Sequence, residues 1–184
     1  MDNNIINKIF PYNEKAHLLK YDNEGLWSIT LPKEANIICD IIIKELDTTN
    51  LTIFDGTGGI GGNTIAFANQ FDKVITVELN KNRYEIIKHN ISVYNIINVE
   101  LINGSCVDYI HKDADVYFYD PPWGGPDYKI ITNLRIKFDN KQLKEIVQPN
   151  KLNIFKLPSN YDLDEFNDFN YRVVKIKNYL LVVI

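Results

Sequence analysis

DGTGGIGGNT, residues 55–64, is the densest glycine cluster in the chain and sets the expected architecture. It follows a short apolar run, Leu51–Asp55, and precedes a stretch that favours a helix, Asn63–Gln70. A buried strand, a glycine turn and a helix in that order are typical of the first unit of a doubly wound α/β sheet. Glycines at such a turn allow positive φ and let a ligand approach the backbone where a Cβ would collide. The cluster therefore predicts a ligand site at the end of the first strand.

Strands and helices alternate along the rest of the chain. Further runs that favour strands lie at 73–78, 99–102, 115–119 and 152–157, and helical stretches lie at 80–94 and 141–147. The last two strand-like runs, 171–177 and 179–184, are separated by little more than Asn178, which favours an antiparallel hairpin. We predict an α/β, Rossmann-like fold with a seven-stranded, mostly parallel sheet, a C-terminal antiparallel hairpin and a small N-terminal helical cap.

The bulk composition fits one compact unit. The 184 residues suit a single domain, in which we place an N-terminal cap or substrate-binding extension at 1–45 and a core at 46–184. No apolar stretch approaches membrane-spanning length, and the N-terminus lacks the pattern of a secretory signal. We expect an intracellular protein without a membrane partner, and the sequence leaves nucleus and cytoplasm equally open.

Charge and cysteine usage limit the classes of partner. A net charge of −4 excludes a protein that coats RNA through bulk electrostatics, but residues 121–184 carry 10 basic and 7 acidic side chains. That segment is the expected place for an anionic substrate. Cys39 and Cys106 do not have the spacing of metal ligands, so no metal site is predicted.

Two acidic residues indicate which ligand the glycine turn binds. The glycines alone also match the dinucleotide fingerprint G-x-G-x-x-G, which leaves a nicotinamide oxidoreductase open. Asp55 stands at a strand tip, where a carboxylate suits the ammonium of a methionine moiety and would repel a pyrophosphate. Glu78 ends the second strand and is placed to accept hydrogen bonds from both ribose hydroxyls. Together they favour S-adenosylmethionine as the cofactor.

Asp120-Pro121-Pro122-Trp123 follows the predicted fourth strand and indicates the chemistry. An exocyclic amine of guanine or adenine is a poor nucleophile because its lone pair is delocalised into the ring, so a catalyst must hold it in line with the methyl donor. Asp120 can accept one amine hydrogen, and the carbonyl of Pro121 can accept the other because proline fixes the backbone. Trp123 can stack on the base. The motif predicts catalysis by positioning and electrostatics, with either purine as substrate.

DPPWGGPDY at 120–128 closely resembles the trimethylguanosine synthase family of RNA cap hypermethylases. GIGGNTIAFA at 59–68 is similar to that family's first motif, and NEGLWSIT at 23–30 to its cap-proximal segment. The resemblance extends over residues 20–184 and implies a class I, S-adenosylmethionine-dependent methyltransferase. It further implies methyl transfer to N2 of 7-methylguanosine on capped RNA, giving a trimethylated cap. We expect the protein to work as a monomer.

The resemblance also implies a role for particular residues. The catalytic group is Asp120, Pro121 and Trp123, and Trp123 is also the platform on which the base stacks. Ser28, Tyr128 and Lys129 are the other implied substrate-binding residues. The cofactor-binding residues implied by the resemblance and by the glycine turn are Thr30, Asp55, Gly59, Gly61, Asn63, Thr64, Glu78 and Ser105. A Trp face binds cationic 7-methylguanine better than a neutral base, which gives a reason for N7 methylation to precede N2 methylation.

Several positions depart from the family's pattern and leave other functions open. Many relatives have Ser where Asp120 stands, Leu31 interrupts a Ser-x-Thr-Pro-Glu run, and Ser105 replaces an Asp that often contacts adenine. Ser159 replaces a basic residue associated with the cap triphosphate, and the basic residues that would have to compensate are Lys129, Arg135, Lys137, Lys141 and Lys144. The alternatives are N2-guanine or N6-adenine methylation of uncapped rRNA, tRNA or DNA, and a cap-binding subunit without turnover.

Overall fold

The computed structural model describes the backbone of residues 3–184 and the side chains of residues 5–125 and 127–184. Its helices are α1 (Asn3–Ile9), α2 (Asn23–Ser28), α3 (Pro32–Leu46), α4 (Gly62–Gln70), α5 (Lys81–Val93) and α6 (Cys106–Tyr109). Single 3-10 turns lie at Ala16–Leu18, Pro126–Ile130, Leu143–Ile146 and Leu163–Phe166. No helix in this described part is long and apolar enough to cross a membrane.

One seven-stranded sheet forms the centre of the molecule. Its strands are β1 (Thr52–Asp55), β2 (Lys73–Glu78), β3 (Val99–Asn103), β4 (Val116–Tyr119), β5 (Leu152–Pro158), β6 (Arg172–Ile176) and β7 (Tyr179–Val183). Their order in the sheet is β3-β2-β1-β4-β5-β7-β6. The first five strands in this order are parallel, and β7 is antiparallel to both of its neighbours. The predicted mostly parallel sheet with a C-terminal antiparallel hairpin is confirmed.

Apolar side chains cover both faces of this sheet. On one face α3 buries Ala35, Ile38 and Ile42 against strand residues such as Ile53 and Val116. On the other face the buried residues include Phe54, Tyr119, Leu143, Ile146, Phe155 and Phe166. Helix α3 thus packs directly on the sheet, while the predicted division of the chain at residue 45 stays a prediction.

The predicted helix at 141–147 is wrong. Lys141–Gln142 instead pairs with Lys137–Phe138 as a two-residue antiparallel strand, and only the 3-10 turn Leu143–Ile146 follows it. A tertiary contact explains why this segment is not a helix. The backbone N–H of Lys144 donates to the buried carboxylate of Glu165 at 2.9 Å, so the segment docks on a neighbouring turn and does not extend as a helix.

The N-terminal segment is fastened to the core by a buried cluster and by one polar side chain. The cluster joins residues of α1 and the following loop to α4 and α5, and its fully buried members include Ile6, Leu19 and Ile65. Asn90 of α5 is also fully buried. Its amide donates to the carbonyls of Lys20 (2.9 Å) and Ile60 (3.1 Å) and accepts from the N–H of Lys20 (2.9 Å).

Trp27 takes no part in this attachment. From the sequence, Trp27 could pack over the cofactor or anchor the N-terminal cap on the core, and anchoring is the preferred prediction. Its side chain is 86% exposed, so the anchoring prediction is wrong. The buried cluster and Asn90 already hold the segment, and Arg83 of α5 binds Asp22 at the start of α2 at 3.0 Å. The indole is therefore left on the surface.

Replacing Asn90 with alanine is expected to lower the free energy of unfolding by about 2–3 kcal/mol, because three backbone groups lose a partner. Urea denaturation measures the change. Asn82→Ala, an exposed position on the same helix, serves as the control and should cost less than about 0.5 kcal/mol. Equal stability of the two variants would contradict the proposed attachment.

Candidate active site

The loops after β1 and β4 meet at the carboxyl edge of the sheet. The N–H of Gly56 donates to the carbonyl of Phe118 at 2.9 Å, and the N–H of Asp120 donates to the hydroxyl of Thr57 at 2.7 Å. Open α/β sheets bind ligands in this position, where the strand order reverses. The glycine turn and the Asp-Pro-Pro-Trp motif therefore share one crevice.

The glycine turn needs glycine for two physical reasons. A Cβ on Gly56 would lie 2.6 Å from the ring of Tyr119, so the turn can pass that ring only without a side chain. Gly59 and Gly61 have φ of 55° and 104°, in the left-handed region that favours glycine. Gly59 has no heavy atom within 4 Å of its would-be Cβ, so this part of the turn faces open space. Gly61 caps the start of α4.

Asp55 is fully buried at the tip of β1. Its carboxylate accepts hydrogen bonds from the hydroxyl of Thr64 at 2.6 Å and from the N–H of Thr57 at 3.2 Å. Burial raises the pKa of Asp55 from 3.8 to about 7, against the opposing effect of these two hydrogen bonds. No ion pair among the described residues involves Asp55. A cationic group of a ligand would stabilise the ionised carboxylate.

Glu78 and Asn63 present further acceptors at the same edge. The Glu78 carboxylate accepts from the N–H of Gly59 and of Asn80, both at 2.7 Å, and burial raises its pKa above the ordinary value. The amide oxygen of Asn63 is buried and has no hydrogen-bond partner among the described residues, whereas its NH₂ donates to Thr30 at 3.0 Å. A buried carboxylate, an unpartnered amide oxygen and an open glycine fit a ligand that carries an ammonium and hydroxyl groups.

Asp120 is held by a cluster of polar side chains. One oxygen, Oδ2, accepts from the hydroxyl of Thr30 at 3.0 Å and from the ammonium of Lys156 at 2.6 Å. The same ammonium lies 3.0 Å from the Thr30 hydroxyl. Lys156 is 5% exposed. Reasoning from sequence does not select Lys156, although a single lysine inside the apolar run of β5 is a signal that could have found it.

Trp123 and its neighbours follow at the tip of β4. Pro121 is buried and Trp123 is half-buried, so the indole is not sealed in the interior. Tyr128 packs edge-on against the indole with ring centroids 5.1 Å apart. Gly124 and Gly125 both have positive φ, and no heavy atom of the described residues, chain neighbours apart, lies within 4 Å of a would-be Cβ, so the backbone at these two glycines is open to a ligand.

Three predicted site residues lie outside this network. The hydroxyl of Ser28 is exposed and donates to the carbonyl of Glu24 within α2. Ser105 follows β3 and donates to Asp139 at 2.7 Å, so an acidic group from the small hairpin stands beside it. Lys129 is exposed, with its ammonium 5.9 Å from the ring centroid of Tyr128. The other predicted residues lie on the glycine turn, at the end of β2 or in the loop after β4, except for Thr30, which contacts Asp120 in that loop.

The basic residues expected to compensate for exposed Ser159 divide into two groups. Arg135 binds Asp162 and Glu165, and Lys144 binds Asp168, so these cations already have protein partners. None of the ion pairs in the described part of the chain involves Lys129, Lys137 or Lys141. Within the same residues, no group of three His, Cys, Asp or Glu side chains could hold a metal ion.

Sequence comparisons relate the chain to a family of cap-modifying enzymes. A family model described as RNA cap guanine-N2 methyltransferase matches residues 50–183. An uncharacterized protein of Acanthamoeba polyphaga mimivirus is 36% identical over 87% of this chain and 75% of its own length. Trimethylguanosine synthase of Schizosaccharomyces pombe is 32% identical over 64% of this chain, and that of Saccharomyces cerevisiae is 27% identical over 91%. The chain spans 54% and 60% of the length of these two synthases.

Solved structures share the fold at low sequence identity. A putative methyltransferase from Porphyromonas gingivalis aligns with a TM-score of 0.71 and 18% identity, covering 98% of this chain and 47% of that one. A mutant of MtNAS in complex with S-adenosylmethionine aligns with a TM-score of 0.59 and 15% identity, covering 82% of this chain and 61% of that one. These similarities support a class I methyltransferase fold.

Asp55→Asn is expected to make stability less dependent on pH. The unfolded chain ionises Asp55 near 3.8 and the folded chain only near 7, so the wild type loses stability as pH rises between these values. The asparagine side chain carries no charge and can still accept from Thr64. The increase in the free energy of unfolding caused by Asp55→Asn should therefore be about 2 kcal/mol larger at pH 8 than at pH 5.5.

Urea unfolding of the ligand-free protein at the two pH values measures this difference. Asp72→Asn makes the same chemical change at an exposed position and is the control. An Asp55→Asn effect that is the same at both pH values would show that the fold does not oppose ionisation of Asp55.

Proposed function

The chain belongs to the RNA cap guanine-N2 methyltransferase family, and from that premise we propose that it methylates the exocyclic N2 of 7-methylguanosine at RNA 5′ ends. The methyl donor is S-adenosylmethionine, and the products are di- or trimethylguanosine caps. The observation that carries the proposal is the position of Asp120. The backbone N–H of Asp120 donates a hydrogen bond to the hydroxyl of Thr57 in the glycine turn, and Trp123 lies three residues further along the chain.

Residues of the glycine turn suit the cofactor. S-adenosylmethionine supplies a methyl group activated on a sulfonium. Asp55 and the free amide oxygen of Asn63 are acceptors for its ammonium, and Glu78 is an acceptor for its ribose hydroxyls. The open space over Gly59 leaves room for the ligand to approach the backbone. These four residues bind and orient the cofactor in the proposal, and they do not take part in the transfer.

Asp120 favours guanine over adenine as the base that is methylated. Beside its exocyclic amine guanine carries N1–H, a hydrogen-bond donor, whereas adenine carries N1, an acceptor. A carboxylate accepts hydrogen bonds from donors and repels an acceptor lone pair. Asp120 therefore matches the guanine edge, and the carbonyl of Pro121 is a second acceptor for the amine. The amine proton leaves after methyl transfer, so no strong base is required.

Trp123 favours a base that is already methylated at N7. That methyl group gives guanine a positive charge, and an indole face attracts a cation as well as an aromatic ring. The half-buried ring of Trp123 is partly desolvated, which strengthens such an attraction. We therefore propose 7-methylguanosine-capped RNA as the partner, with its phosphates near Lys129, Lys137 and Lys141, which form no ion pair with any residue that the structure describes.

The test is methyl transfer from labelled S-adenosylmethionine to m7GpppG and to GpppG. We expect m7GpppG to be methylated about tenfold faster or more, because the cation contributes to stacking on the indole. Mass spectrometry of the nucleoside should place the new methyl group on N2. Equal labelling of both dinucleotides, or labelling of uncapped RNA or DNA alone, would contradict the proposal.

Trp123→Leu should lower affinity for m7GTP about tenfold or more, because stacking and the cation–π attraction are both lost. Affinity for GTP should fall less, so discrimination between the two nucleotides narrows. Isothermal titration measures both affinities. Tyr12→Leu removes another aromatic ring, 84% exposed in the N-terminal segment, and should leave both unchanged. A Trp123 variant that keeps the preference for m7GTP would exclude the indole as the stacking platform.

A further inference from the structure

Lys156 is the one charged side chain within β5, whose other residues are apolar except for Asn153. It lies at the carboxyl end of the strand, where parallel pairing sets Phe155 beside Tyr119 and so brings the next residues, Lys156 and Asp120, together. The side chains of the pair are only 6% and 12% exposed. The ammonium of Lys156 therefore lies within the crevice beside Asp120 and not on the protein surface.

The ammonium of Lys156 contacts both polar and aromatic groups. It lies 2.6 Å from Asp120 Oδ2 and 3.0 Å from Thr30 Oγ1, which accounts for two of its three hydrogens. Its nitrogen is 5.5 Å from the ring centroid of Trp123 and 5.0 Å from that of Tyr179, within the range of a cation–π interaction. One cation thus touches the proposed amine acceptor and the proposed stacking ring.

Fold stability gives no sufficient reason for this pair. Removing two charges from water is costly, and replacing a buried ion pair by apolar side chains is often neutral or stabilising. An apolar residue at 156 would continue the pattern of β5 and pack against Tyr179. The pair therefore calls for an explanation in the chemistry of the crevice.

We propose that Lys156 is a positioning residue that acts through Asp120 and sets the preference for the charge of the base. This rests on the proposed function. Lys156 and Thr30 occupy Oδ2, and no hydrogen bond among the described residues engages Oδ1. The carboxylate is thus fixed, with Oδ1 left for the hydrogen-bond donors of the guanine edge, the exocyclic amine and N1–H. The ammonium also balances the charge of Asp120, so a base stacked on Trp123 meets a neutral pair.

Removing the charge of Lys156 should therefore raise the preference for m7GTP in binding but lower kcat. Lys156→Met leaves an unbalanced carboxylate near Trp123, which attracts a cationic base. We expect the ratio of the m7GTP affinity to the GTP affinity to rise on the order of threefold to tenfold. The same variant frees the Asp120 carboxylate to rotate, so kcat for m7GpppG should fall about tenfold or more while KM does not rise. A variant damaged only in its fold would lose affinity for both nucleotides alike.

The experiment measures both affinities by calorimetry, with kcat and KM for m7GpppG, in wild type, Lys156→Met, Lys156→Gln and Lys151→Met. Lys151→Met removes the partly exposed lysine that precedes β5 and binds Asp113, and it should match the wild type. Lys156→Gln keeps a hydrogen-bond donor without the charge. It should raise the affinity ratio as methionine does but lose less kcat, and it replaces Lys156→Met if that variant fails to fold.

An unchanged affinity ratio in both Lys156 variants would overturn the inference, as would an unchanged kcat. Failure of the proposed function is distinguishable. If the wild type methylates only uncapped RNA, the cap proposal fails, and a tenfold loss of kcat on that RNA in Lys156→Met still supports the positioning role. If the wild type has no turnover, the change in the ratio of m7GTP affinity to GTP affinity alone tests the role of Lys156. A wild type that binds neither nucleotide and methylates no RNA would overturn both.

Discussion

Parallel pairing of β1 with β4 brings two loops to one edge of the sheet, and two hydrogen bonds between them set the distances in the site. The N–H of Gly56 reaches the carbonyl of Phe118, and the N–H of Asp120 reaches the hydroxyl of Thr57. Only glycine fits at 56, because the ring of Tyr119 occupies the space that a Cβ needs. The proposed cofactor and base meet because these neighbouring strands end together.

Thr30 connects this edge to the N-terminal segment. Its hydroxyl accepts from Asn63 and from Lys156 and donates to Asp120, so the start of α4, the tip of β4 and the end of β5 share one oxygen atom. Leu31 caps α3 without a side-chain hydrogen bond, and Pro32 begins that helix, so the Thr30 hydroxyl is not used as a helix cap.

Local sequence is sufficient for most of the fold, because turn residues and strand patterns act over short distances. The turn at 55–64 and the final hairpin are examples. The role of Lys156 depends on a partner 36 residues away in the chain, which no local pattern specifies. Trp27 is misassigned because an apolar side chain favours burial without requiring it. The segment 141–147 is misassigned because the Glu165 carboxylate competes for its backbone.

The order of the last three strands also constrains how the sheet assembles. β7 lies between β5 and β6, although β6 precedes it in the chain. Among the described residues β6 pairs only with β7, so it cannot join the sheet before the strand that follows it in the chain. Without β7 the edge of β5 that faces away from β4 is open to pairing with other chains. A chain in which the final hairpin has come away would therefore expose that edge to aggregation, while the five parallel strands remain paired.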